Sequence, residues 1–278
     1  MTKKPYLFIE SSNREAPIDQ VTARSLLRFN CVSKSWKTLI SEPYFARKHL
    51  NHAKNDQNSQ RMFICELGPE DGIFSMYCCP LSSNQLVEDV RKLNFPSVCE
   101  PLYCSSYCGC DGLAIVDVSD NIADECSILL LWNPSTRQSV VLPYPKPGGI
   151  FCLGMGYDSR SDYKILKIME VEDFGCEIPC EILALKSGSW KKIDKHPHGI
   201  RSMLSAMHSL AFVHVAFHWI GISRNYYVVS FNISNEVYGE MPLPEQICLM
   251  SNIGIGISVL EGMLCVYSTS NFVGGDTF

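Results

Sequence analysis

From Arg61 onward, short apolar runs alternate with clusters of Gly, Pro, Asp, Asn and Ser. The runs RMFICEL, GIFSMYCCPL, GLAIVDV, SILLLW, SVVLP, KILKIMEV, CEILAL, YYVVSFN and GMLCVYS are rich in β-branched and aromatic residues, and they predict the strands of an all-β domain. Ahead of them the period is different. Leu26, Phe29, Val32, Trp36, Leu39 and Ile40 recur at three- and four-residue steps, which gathers them on one helical face, while Asn30, Lys34, Lys37 and Thr38 fall off that stripe. Ser33 is placed to cap a second, shorter helix, and Pro43 is expected to end it, because the residue before a proline is pushed out of helical geometry. Residues 46–60 are polar and aperiodic and read as a connection. The expected division is a helical segment over 17–50, a linker over 51–60 and a β domain over 61–278.

A repeat underlies the strands. Apolar segments close on Pro96, Pro143, Pro197 and Pro244, at intervals of 47, 54 and 47 residues. Three of them share a preamble of strand, polar turn and second strand, with Asn133-Pro134-Ser135, Ser187-Gly188 and Asn232 to Asn235 at the reversals. A period near fifty with several strands in each is the pattern of a kelch-like propeller blade, whereas a sandwich would supply strands without the spacing. The expected fold is mainly β, an incomplete propeller of about four to five blades behind a small helical segment.

Residues 25–45, SLLRFNCVSKSWKTLISEPYF, closely resemble the second half of a plant F-box. LWNPSTRQSVVLP, GMGYDSRSDYKILKI, SGSWKKI, HWIGISRNYYVVSFNISNEVYGEMPLPE and VLEGMLCVY look like successive signatures of the F-box-associated domain of plant F-box/kelch proteins. The resemblance implies an adaptor: the helices dock on the linker subunit of an SCF-type ubiquitin ligase, and through it on cullin, while the propeller selects an unidentified target protein. It carries the docking role onto Leu26, Leu27, Val32, Lys34, Trp36, Leu39 and Pro43, with Leu27, which lies off the main stripe, as the outward contact. There are departures from the family. Val21-Thr22 stands where a second Leu-Pro is usual, and ESSNREAPIDQ lacks the apolar helix that opens the box. Val213-His214-Val215 replaces an Asn-Gly turn, and the sequence stops about half a blade after Leu260 where the family continues. An open ring with exposed strand edges is the expected consequence. These departures suit an alternative, a propeller interaction protein detached from the ligase.

Composition adds constraints. A net charge of −5 offers no basic footprint for nucleic acid. Fourteen cysteines and no signal peptide fit reduced thiols in the cytoplasm or nucleus. Met203 to Ile222 lacks any Lys, Arg, Asp or Glu, yet its histidines and serines suit strand pairing better than a membrane span. Nucleophile elbow, phosphate loop and zinc-protease motifs are missing from the sequence, so no catalytic residue, cofactor or enzymatic activity is expected. Gly154-Met-Gly156 and Gly254-Ile-Gly256 read as glycines where backbone passes closely rather than as a dinucleotide loop. Cys104, Cys108 and Cys110, like Cys78-Cys79 and Cys176/Cys180, lack the matched knuckles of structural zinc. If both lie on one strand, His214 and His218 stand about 13 Å apart, too far to share an ion. Trp132, Trp190 and Trp219 are expected in blade packing.

Overall fold

The computed structural model describes residues 8–9, 16–17, 23–56, 60–67, 74–80, 90–93, 103–119, 128–143, 150–158, 162–169, 179–193, 201–202, 210–245 and 253–270. Two short strands, β1 (Phe8–Ile9) and β2 (Ala16–Pro17), pair near the N-terminus. Three helices follow: α1 (Ala23–Asn30), α2 (Lys34–Ser41) and α3 (Pro43–Asn55).

The remaining described elements are strands, arranged in five antiparallel sheets that follow one another along the chain. The first holds β3 (Arg61–Leu67), β4 (Phe74–Pro80) and β5 (Arg91–Leu93). The second holds β6 (Tyr103–Cys110), β7 (Leu113–Ser119), β8 (Ile128–Asn133) and β9 (Gln138–Val141). The third holds β10 (Ile150–Asp158), β11 (Asp162–Met169), β12 (Cys180–Ala184) and β13 (Ser189–Ile193). In the fourth, β14 (Arg201–Ser202) and β15 (Ala211–Val213) both pair with β16 (Ala216–Ile222), followed by β17 (Tyr226–Asn232) and β18 (Val237–Pro242). The fifth is the hairpin of β19 (Ile253–Leu260) and β20 (Met263–Ser270). This succession of up-and-down sheets is the blade pattern expected from the fifty-residue period. Pro143 and Pro244 follow closely on β9 and β18, the last strands of their sheets; Pro96 and Pro197 lie outside the described residues.

Two compact units divide the chain: residues 1–106 with 111–140, and residues 107–110 with 141–278. In the first, Met76 from the first sheet packs with Val116, Val118, Leu130 and Trp132 from the second, and Phe63 meets Trp132 edge-on at 5.8 Å between ring centres. In the second unit the fourth sheet is covered on both faces. Phe217, Trp219, Val229 and Phe231 pack with Cys152, Leu166, Ile168, Cys180 and Ile182 of the third sheet. Ile220 and Val228, on the opposite face, meet Ile255, Ile257, Leu264 and Val266 of the fifth. Early strands such as β7 and β16 are buried along nearly their whole length and therefore read as apolar runs. Last strands such as β9 are exposed throughout, which is why they read as mixed sequence.

The reversals obey one rule. In β8–β9, β12–β13 and β17–β18 the fifth residue of the turn donates its N–H to the carbonyl of the first: Arg137 to Asn133 at 2.7 Å, Gly188 to Ala184 at 3.0 Å and Glu236 to Asn232 at 2.9 Å. Arg137, Gly188 and Glu236 have φ of 61°, 63° and 57°. Asn133 and Asn232 each reinforce the bend by accepting two backbone N–H groups on Oδ1. A second family of two-residue turns joins β6 to β7, β15 to β16 and β19 to β20, with both residues at positive φ: Asp111-Gly112, His214-Val215 and Glu261-Gly262. The hairpin before Trp219 thus forms without its Asn-Gly. His214 lies in this turn and His218 on β16, so the single-strand spacing expected for the pair does not apply.

Candidate functional site

The helical segment builds a small cluster of its own. Ser33 has extended backbone (φ −156°, ψ 158°) and its hydroxyl accepts the Trp36 N–H at 3.2 Å, capping α2 as its sequence position requires. As expected, α2 stops ahead of Pro43, at Ser41 with Glu42 in extended backbone (ψ 132°), but Pro43 does not end the helical region. It occupies the first turn of α3, where its missing N–H costs nothing, and α3 runs on through Asn55 into the polar stretch read as a linker. Ala46, Arg47, Lys48, Leu50 and Ala53 are strong helix formers, which carries α3 despite its weak apolar period.

Leu26 and Phe45 are the buried pair of this cluster, and Phe29, Trp36 and Ile40 pack around them. The Phe29 and Trp36 rings lie 5.3 Å apart at 35°. The seven residues assigned to docking therefore separate. Leu26 and Trp36 serve the cluster's own interior; Leu27 and Leu39 are half-buried; Val32, Lys34 and Pro43 are exposed. Val32, at 70% exposure, shares the surface with Tyr44 at 75%. Tyr44 escaped the sequence reading because it follows a proline taken as a helix stop; an aromatic at the second position of a proline-started helix was its signal. From α3, Lys54 reaches Asp111 in the β6–β7 turn, at 2.6 Å, and the Asp111 side chain is 6% exposed. That ion pair ties the last turn of the helical cluster to the second sheet.

In the second unit, polar groups hold sheets together. Asp158, almost fully buried, receives the Lys164 ammonium at 3.1 Å and the Ser234 hydroxyl at 2.5 Å, while Lys164 also donates to the Ile233 carbonyl. Lys167 is fully buried against Glu181 at 3.4 Å; burial lowers its pKa and the Glu181 carboxylate opposes that shift. Burial pushes the Cys180 thiol up to about 11, against a hydrogen bond with Tyr238, and the Cys152 thiol up to about 12. Such thiols stay protonated and pack as small apolar groups. Trp132 and Trp219 are core residues, and Trp190 donates its indole N–H to the Pro143 carbonyl at 2.7 Å. Among the described residues no group of three or more His, Cys, Asp or Glu is placed to hold a metal ion, and no helix is long and apolar enough to cross a membrane. Of the segment 203–222, residues 210–222 form β15, its turn and β16, and 203–209 lie outside the described residues, as do Cys176 and the Cys104 side chain.

The family described as "F-box associated beta propeller domain" matches residues 70–271, across all but the start of the sheet region. The chain belongs to the F-box-associated β-propeller family. Its relatives include F-box protein CPR1 of Arabidopsis thaliana, 26% identical over 276 residues, covering 89% of this chain and 63% of the relative. F-box protein At3g08750 of the same plant is 30% identical over 185 residues, covering 63% and 44%. F-box protein At3g17710, also from Arabidopsis thaliana, is 31% identical over 158 residues, covering 56% and 38%. The chain spans about three fifths of the length of relatives that match most of it.

Proposed function

We propose that this F-box-associated propeller protein is a substrate-recognition adaptor of an SCF-type ubiquitin ligase. The helices α1–α3 dock on the linker subunit, which joins them to cullin, and the propeller presents a surface to a target protein in the cytoplasm or nucleus. No residue of the chain performs bond chemistry in this reading. The carrying observation is a small helical cluster, ahead of the family's propeller in the chain, in which Val32 and Tyr44 are exposed and Leu27 and Leu39 half-buried. Large apolar side chains cost roughly 1.5–3 kcal/mol each when left in water instead of buried, which favours a partner over them.

The alternative, a propeller interaction protein detached from the ligase, draws on the smallness of the cluster, whose buried apolar residues are Leu26 and Phe45 alone among the described ones. Pull-down of the full chain with purified linker subunit separates the two. Binding that is lost in Val32→Glu with helicity intact supports the adaptor. Absence of binding by the unaltered, folded chain establishes the detached form.

A further inference from the structure

A pocket of about 290 Å³ opens among β6, β10, β15 and β19 of the second unit. Leu210, Phe212 and Ile257 line it together with Ser258 and three sulfur-bearing residues, Cys108, Cys110 and Met155. Cys108 and Cys110 are two positions apart on β6, so both side chains lie on one face with Cα atoms about 6.6–6.8 Å apart, within reach of a common ion when the side chains lean together. Met155, on β10, belongs to the same lining. We propose that this pocket is a site for a soft monovalent cation of the copper(I) class, held by the Cys108 and Cys110 thiolates with the Met155 thioether as third donor.

The donor chemistry selects the ion. Thiolate and thioether sulfur favour copper(I), and no carboxylate lines the pocket to attract magnesium or calcium. Two thiolates and a thioether also fall short of the four Cys or His ligands that a structural zinc takes. Binding as thiolates sends both thiol protons to solvent. This site is independent of ligase docking, since none of its residues belongs to α1–α3.

Anaerobic titration of the reduced full chain with copper(I) supplied as its bicinchoninate complex tests the proposal, read as loss of the chelator's colour. The unaltered chain should withdraw one equivalent more than Cys108→Ser/Cys110→Ser, while Cys31→Ser/Cys265→Ser, which removes thiols outside the pocket, should match the unaltered chain. Met155→Leu conserves volume and keeps both thiols, so it should still bind but release the ion to a lower chelator concentration. The ion should raise the melting temperature of the unaltered chain and leave that of the double serine variant where it was. Equal uptake by the unaltered chain and the pocket variant, or no withdrawal from the chelator at all, overturns the proposal. If the double variant does not fold, an unchanged chelator midpoint in Met155→Leu overturns it instead.

Discussion

Replacing Gly154 or Gly156 with alanine tests how tightly the third and fourth sheets are fitted. Neither glycine has the positive φ that would penalise alanine in itself, so the cost is steric. At Gly156 a Cβ atom would fall within 2.5 Å of the Phe212 ring carbons Cε2 and Cζ, and 2.6 Å from Cδ2. Carbon atoms settle at about 3.5–4.0 Å, so the ring must retreat by roughly 1 Å or more. At Gly154 the contacts are longer, 2.8 Å to Phe217 Cε1 and 2.9 Å to Leu210 Cβ. Distance alone would make Gly156→Ala the worse change. Mobility reverses the order. Phe212 is half-buried and borders the pocket, into which its ring can swing. Phe217 is fully buried, and Leu210 Cβ moves only with its backbone. Overpacking costs about 1–3 kcal/mol, with Gly154→Ala expected near the top of that range and Gly156→Ala near the bottom. The unfolded state offsets about 0.4–1 kcal/mol of either. Urea denaturation followed by tryptophan fluorescence measures both, since Trp219 lies in the same core cluster as Phe217. Phe212→Leu should restore most of what Gly156→Ala loses, whereas Phe217→Leu should restore Gly154→Ala only in part, because Leu210 remains. A larger loss from Gly156→Ala than from Gly154→Ala, or no restoration by Phe212→Leu, refutes the reasoning.

Asp158→Asn should cost about 3–5 kcal/mol in the same assay, by leaving the largely buried Lys164 ammonium without its counter-charge, and Lys164→Met in that background should recover part of it. His214 is exposed in left-handed backbone at φ 50°, so His214→Gly should stabilise by about 1 kcal/mol; Val215→Gly should be near neutral, because relief of its φ of 62° is offset by lost packing on the core, and a differential melt decides both. Burial holds the His218 imidazole below its ordinary range, with hydrogen bonding to the backbone of Ala211 and Ala216 opposing. The unfolded chain then binds that proton more readily than the folded one, so His218's share of stability is complete above about pH 6.5 and falls as pH drops below it. Melting temperatures between about pH 7.5 and pH 5.5 should fall more steeply for the unaltered chain than for His218→Gln.

The strands, the fifty-residue period and the capped helix at Ser33 were legible in residue order because each is a local matter. Alternation, the prolines at 143 and 244 that follow the second and fourth sheets and a hydroxyl three residues before an N–H act over a few positions. The same locality explains the errors. Pro43 did end α2, through the extended residue before it, but it is equally welcome at the start of a helix, and that is how α3 went unread. Which members of the helical stripe face inward depends on how α1, α2 and α3 fold against one another, and tertiary packing placed Leu26 and Trp36 inside and left Val32 and Tyr44 in water. Val215 shows the limit from the other side: its local preference opposes the turn it occupies, yet the hairpin forms because β15 and β16 on either side pair in register. Residue order therefore determined which segments extend, coil or reverse. Only the assembled sheets decided which glycines are crowded, which charges meet at Asp158 and which sulfurs share a pocket, since those partners are brought together by pairing between segments far apart in the chain.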